Sequence, residues 1–194
     1  MGGTGIPRQA GPWRCCVRGD SIVTMTTEPL FSAGDHGVPV TVQTRTPLSP
    51  VDAFNGVVPI DLSQVFTGWG PFPGVRDVSN QTGPWDTVGQ RRNPQLTDGS
   101  SALEKLTEYT APHSFAYEIT GFTGSLRFVV RGVRGEWTFA PDGGGTLIRW
   151  CYEFAPLPGR TWLLRRIIAP LWRRYMQQGI ESSARVAEEC AALR

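Results

Sequence analysis

Lysine is almost missing from this sequence, histidine occurs twice and cysteine four times. No apolar run approaches the roughly 18 residues of a membrane-spanning helix, so a helical membrane segment is excluded. The cysteines are a vicinal pair, Cys15–Cys16, and two isolated residues, Cys151 and Cys190, with no zinc spacing. A vicinal pair does not readily close a relaxed disulfide, so the expectation is four free thiols in a reducing, cytoplasmic setting. Two histidines with no cysteine or carboxylate at ligand spacing offer no metal site, and nothing calls for a cofactor. His113 lies in a turn of sequence Ala-Pro-His-Ser, where a solvated residue is expected, and His36 lies in a loop. No Ser–His–Asp or Cys–His grouping is apparent. The three glycines at 143–145 precede a strand, not a helix, and so read as a hairpin turn instead of a phosphate loop.

A strong charge of either sign is also lacking. The formal net charge is +2 over 194 residues, and residues 1–24 alone carry +2 through Arg8, Arg14 and Arg18 against Asp20. The remainder is balanced, which excludes the basic field of a nucleic-acid-binding protein. Lys105 is the single lysine, and the other basic residues are arginine. That skew fits the codon bias of a GC-rich genome and weakens any lone arginine as evidence for an anion site. Glycine (23) and proline (16) are scattered without a period, so they act as turn punctuation. Residues 1–24 lack both periodicity and the apolar stretch of a secretory signal. Residues 1–37 are expected to be a disordered extension, and residues 38–190 one folded domain.

What is abundant is aromatic: seven tryptophans, nine phenylalanines and four tyrosines. Val38, Val40 and Val42 alternate with polar residues, predicting a strand that ends near Thr46. Ser49-Pro50 and Asp61 each resemble a helix start, opening two short helices over 50–57 and 62–66. Strands are predicted over 74–80, 85–92, 101–110, 115–120, 126–139 and 146–154, with turns at Asp98-Gly99 and 142–145. Leu164, Ile168, Leu171, Trp172, Tyr175, Met176, Ile180, Ala184 and Ala187 then follow helical spacing. A straight helix over 161–193 would reach roughly 50 Å, longer than a domain of this size, so a kink is expected at Pro170.

The order strand, two helices, six antiparallel strands and one long helix predicts an α+β fold. A curved seven-stranded sheet would wrap the last helix. Such a sheet bends away from the helix at its ends, which favours a cavity between them. The segments GPWDTVGQRRNPQLTDGSSALEKLT (83–107), SFAYEITGFTGSLR (114–127), GEWTFAPDGGGTLIRWCYEF (135–154) and LWRRYM (171–176) resemble the SRPBCC superfamily of START-like helix-grip proteins. The nearest likeness is its bacterial polyketide cyclase/dehydrase and lipid-transport branch, and it covers about 39–189. The resemblance implies the helix-grip fold and a cavity for a small hydrophobic molecule. It implies no particular activity, because the superfamily shares no catalytic motif.

Strand parity points Phe115, Tyr117, Trp137, Trp150 and Tyr152 toward the helix, while Trp172, Tyr175 and Met176 point back. Trp69 and Phe72 sit in the Gly/Pro-rich stretch TGWGPFPG, where this fold has its cavity mouth. The pattern alone fits either a packed core or a lined cavity, and the resemblance favours the cavity. Arg92 and Glu104 fall nearly opposite one another about the Asp98-Gly99 turn. Pointing inward they would form a buried ion pair able to orient a ligand oxygen, and pointing outward a surface pair of little worth. Arg91 competes with Arg92, since a one-residue slip exchanges the faces. Arg160, Arg165, Arg166, Arg173 and Arg174 crowd fifteen residues that contain no acid. They form either the solvated face of the helix or a docking face for an anionic membrane or an acidic carrier protein. Three functions follow: a carrier of a lipid- or polyketide-like ligand, a polyketide cyclase or dehydratase using the same cavity, or a peripheral docking module acting through Arg165, Arg166, Arg173 and Arg174.

Overall fold

A computed structural model describes residues 30–31 and 37–193. The expected N-terminal extension, with Trp13, Cys15, Cys16 and His36, lies almost entirely outside the described residues. Strand β1 (Val38–Thr46) is followed by helices α1 (Pro50–Val57) and α2 (Leu62–Val65). A small hairpin, β2 (Gly68–Trp69) and β3 (Phe72–Pro73), leads into β4 (Val75–Ser79), β5 (Arg91–Leu96), β6 (Leu103–Thr110) and β7 (Ser114–Thr120). A 3₁₀ turn (Ser125–Phe128) precedes the long strands β8 (Val130–Asp142) and β9 (Gly145–Pro156). The chain ends in α3 (Thr161–Leu163), a π-helical segment (Leu164–Ile168) and α4 (Ala169–Ala192). The main sheet has the order β1-β9-β8-β7-β6-β5-β4, with antiparallel neighbours throughout. This is the curved seven-stranded sheet gripping a long C-terminal helix that the element order predicts.

Local chemistry accounts for the elements. The Ser49 hydroxyl accepts from the Asp52 backbone N–H at 3.2 Å, and Pro50 opens α1. The Asp61 carboxylate accepts from the Ser63 N–H at 3.0 Å and caps α2. Val38, Val40 and Val42 are buried against the core, as their alternation requires. Helix α1 packs closely on α4 because Gly56 faces Ala187, where an added Cβ would stand 2.7 Å from the alanine methyl.

Four local expectations are corrected. The strand expected over 85–92 begins only at Arg91, and Trp85 lies in the preceding loop with φ 68°. The segment expected as a strand from 126 starts with the 3₁₀ turn, whose residues 125–128 have no strand partner. The Gly/Pro-rich stretch around Trp69 folds as the β2–β3 hairpin, turning through Gly70 at φ 56°. The irregularity expected at Pro170 lies just before it, in the π-helical segment. Proline has no N–H for the carbonyl four residues back, and a widened turn immediately upstream accommodates that loss. Pro94 also leaves a mark: the β5–β6 register extends only over Arg91↔Lys105 and Arg92↔Glu104.

Candidate functional site

Between the concave face of the sheet and the C-terminal helix lies a cavity of about 390 Å³. Its floor is a set of cross-strand rows. Phe115, Trp137 and Trp150 stand side by side across β7, β8 and β9. Phe115 and Trp137 stack with centroids 5.9 Å apart, and Trp137 and Trp150 with centroids 4.8 Å apart. The next row is Tyr117, Gly135 and Tyr152. Gly135 is required there, since a Cβ on it would stand 2.2 Å from Cζ of Tyr117. The Tyr117 ring therefore lies down over β8, and its hydroxyl accepts a hydrogen bond from Trp150 Nε1 at 3.0 Å. On the helix side Trp172 meets Tyr152 (5.3 Å between centroids) and Phe72 (4.7 Å), and the Tyr175 hydroxyl donates to the Pro73 carbonyl at 3.4 Å.

The far wall carries charge. Arg92 and Glu104 pair directly across β5 and β6, both point inward, and they are only 6% and 4% exposed. Arg92 Nε donates to Glu104 Oε2 at 2.5 Å. The guanidinium also lies over the Trp85 ring, 3.9 Å from its centroid. Arg91 is exposed and takes no part. Of the two open arrangements of the pair, the inward one is present. Trp85 is the feature that sequence reasoning missed. The only available signal was the Gly-Pro dipeptide before it, which marks a turn in place of a strand start. Its left-handed backbone turns the ring inward, where it is 1% exposed.

Ten of the twelve residues singled out from the sequence line this one cavity: Phe72, Arg92, Glu104, Phe115, Tyr117, Trp137, Trp150, Tyr152, Trp172 and Tyr175. Trp69 and Met176 do not. Met176 is wholly buried in the core, and half-buried Trp69 packs against that core with the Arg174 guanidinium 5.8 Å from its ring centroid. Apolar residues from the connecting segments complete the lining, among them Phe66, Phe122, Leu126, Val129 and Ile168. Ile168 shares the helical spacing of the last helix, whereas Phe66, Phe122, Leu126 and Val129 come from loops and short turns.

The electrostatics keep the cavity neutral. Burial pushes the Tyr117 hydroxyl far above its ordinary range, and the charge of Glu104 adds to the effect. Burial does the same to Tyr152 and Tyr175. All three remain O–H donors at any physiological pH. The indole N–H groups of Trp85 and Trp172 are buried in the wall with no hydrogen-bond partner among the described residues. His113 is exposed at the β6–β7 turn, away from the cavity lining. No group of three or more His, Cys, Asp or Glu converges among the described residues. No described helix is long and apolar enough to cross a membrane.

The architecture recurs in solved structures. Ara h 8.0201 superposes with a TM-score of 0.62 at 15% identity, covering 79% of this chain and 99% of that one. A norcoclaurine synthase point mutant from Thalictrum, in complex with a transition state analogue, gives 0.58 at 15% identity over 81% and 99%. DynU16, a putative protein of the dynemicin biosynthetic locus, gives 0.55 at 16% identity over 77% of this chain and 47% of that one. At these identities the likeness is one of fold. No curated protein matches the sequence. The sequence profile of the family described as polyketide cyclase / dehydrase and lipid transport matches residues 38–188, which is most of the chain, from the start of β1 to near the end of α4. The chain belongs to that polyketide cyclase / dehydrase and lipid-transport family, within the SRPBCC superfamily.

Proposed function

We propose that this protein binds a small, largely apolar molecule with an oxygen-bearing end, in the cavity between the sheet and the C-terminal helix. The observation that carries the reading is an apolar chamber whose wall holds one buried ion pair among the described residues, Arg92–Glu104. A buried guanidinium has five N–H donors. Nε is bonded to Glu104, and no protein acceptor for the terminal amino groups lies among the described residues. A carbonyl, phenol or carboxyl oxygen of the ligand meets that need. The stacked rings of Phe115, Trp137 and Trp150 supply flat apolar contact for its body. The reading needs no nucleophile or base, and carriage of the ligand is its simplest form.

The test is native mass spectrometry of protein purified from its own host, followed by thermal shifts with fatty acids, sterols and aromatic polyketides. A co-purifying small molecule, or a clear rise in melting temperature with one of these classes, is expected. An empty protein that no apolar compound stabilises would defeat the reading.

A second reading is cyclisation or dehydration of a polyketide-like chain. It is favoured by the hydroxyls of Tyr117 and Tyr152, which burial holds protonated in the same cavity wall as Arg92, where such donors could polarise a carbonyl. Turnover that survives both Arg92→Ala and Glu104→Gln would remove this assignment.

A further inference from the structure

We propose that the cavity mouth docks on an anionic lipid surface, with Trp162, Phe128 and Ile167 entering the headgroup region and Arg127, Arg160, Arg165 and Arg166 holding the anions. Trp162 is 65% exposed, Phe128 60% and Ile167 46%. Large apolar side chains left in water are informative when they occur together and at a functional edge. Here they flank the cavity opening. Ile167 is exposed and also lines the cavity. Phe128 belongs to the 3₁₀ turn whose Leu126 lines the wall, and Val129 beside it does the same. Trp162 precedes the π-helical segment that contributes Ile167 and Ile168. The Leu157 N–H donates to the Val129 carbonyl at 2.9 Å, which ties the chain just before α3 to the turn containing Phe128.

Charge selects the partner. No carboxylate occurs between Glu118 and Glu136 or between Glu153 and Glu181, and these two stretches build this side of the rim. Arg127, Arg160, Arg165 and Arg166 are exposed and form no ion pair among the described residues. Arg127 lies over the Phe128 ring, 4.5 Å from its centroid. Among the described residues the one carboxylate at the mouth other than buried Glu104 is Asp98, on the β5–β6 turn, and its charge is held by Ser100. Arg173 and Arg174 instead flank a groove with Thr41, Val42, Gln43 and Gln177 on the β1 side, so the arginine run divides between two faces. Cations interleaved with Trp, Phe and Ile match a bilayer interface, which offers anionic headgroups and apolar chains at adjacent depths. An acidic protein partner would use the cations and leave the large exposed rings without a role. Docked this way, the mouth faces the acyl chains and an apolar ligand need not cross water. The docking itself does not rest on the cavity reading, since it is measured with no ligand added.

The test is partitioning of the full chain onto phosphatidylcholine vesicles with and without phosphatidylglycerol, with brominated acyl chains as quenchers of inserted tryptophan. Anionic vesicles are expected to bind about a hundredfold or more tightly than zwitterionic ones, since four arginines contribute about fivefold each. Arg165→Gln/Arg166→Gln should lower partitioning roughly thirtyfold, about fivefold per charge. Trp162→Phe should remove most of the quenching while leaving the melting temperature unchanged. No preference for anionic vesicles would overturn the proposal. So would binding that is insensitive to both variants, or quenching that persists without Trp162, which would place the contact elsewhere on the chain. Binding to an acidic protein but not to vesicles, lost in high salt and indifferent to Trp162, would assign the surface to that partner instead.

Discussion

Replacing Arg92 with methionine keeps the stem length and removes the charge, leaving the Glu104 carboxylate in a wall where it is 4% exposed. Arg92 is the only salt-bridge partner of Glu104 among the described residues, so the variant creates a lone buried charge. For charge centres ~4 Å apart at an effective dielectric constant near 20, the attraction lost is about 4 kcal/mol. Desolvation of the guanidinium, which the variant avoids, offsets part of this, while the contact with the Trp85 ring is lost as well. The net expectation is about 3–5 kcal/mol of lost stability, the range typical of a broken buried pair. Removing the second charge as well, in Arg92→Met/Glu104→Leu, should restore most of it, because an apolar pair of similar volume is often neutral there. Urea unfolding of the wild type, both single variants and the double variant gives the coupling energy directly. Single variants that cost under about 1 kcal/mol, or a double variant no better than Arg92→Met, would refute the premise that the pair is desolvated. The double variant has a further use. If Arg92 orients the ligand, it should be stable and yet bind any stabilising compound far more weakly than the wild type.

Gly135→Ala should cost about 1–3 kcal/mol, because the new methyl meets the Tyr117 ring and must displace it from Trp150; differential scanning calorimetry and a ligand titration of the same variant would read both effects. The tyrosines give a pH prediction. Burial raises Tyr117, Tyr152 and Tyr175 in the folded state, so their contribution to stability is intact below pH ~10, where the unfolded hydroxyls are still protonated, and falls above it as the unfolded chain ionises first. Tyrosinate absorbance should therefore rise mainly in one cooperative step together with loss of the circular-dichroism signal, and titration of two or more of the four tyrosines before unfolding would contradict the burial of these three.

Much of this molecule is legible one residue at a time. Alternating valines mark the buried face of β1, Ser49 and Asp61 mark two helix starts, and Asp98-Gly99 marks the β5–β6 turn, with Gly99 at φ 81°. Each of these depends on contacts within a few residues, so the element order and the helix-grip architecture follow from them. The inward aromatics are legible for the same reason, since strand parity holds along a whole strand once its phase is set. Other features depend on contacts made far along the chain. Whether Arg92 or Arg91 faces inward is set by the β5–β6 register, and a slip of one residue reverses it. Trp85 takes a left-handed backbone because its ring is held under Arg92, a tertiary contact that local propensity disfavours. The π-helical segment, the β2–β3 hairpin and the 3₁₀ turn are likewise placed by what they pack against. Above all, sequence periodicity says which rings face the interior but not how far apart the two walls stand. That distance follows from the curvature of the sheet and the path of the helix across it, and it decides whether those rings fill a core or line a cavity of about 390 Å³.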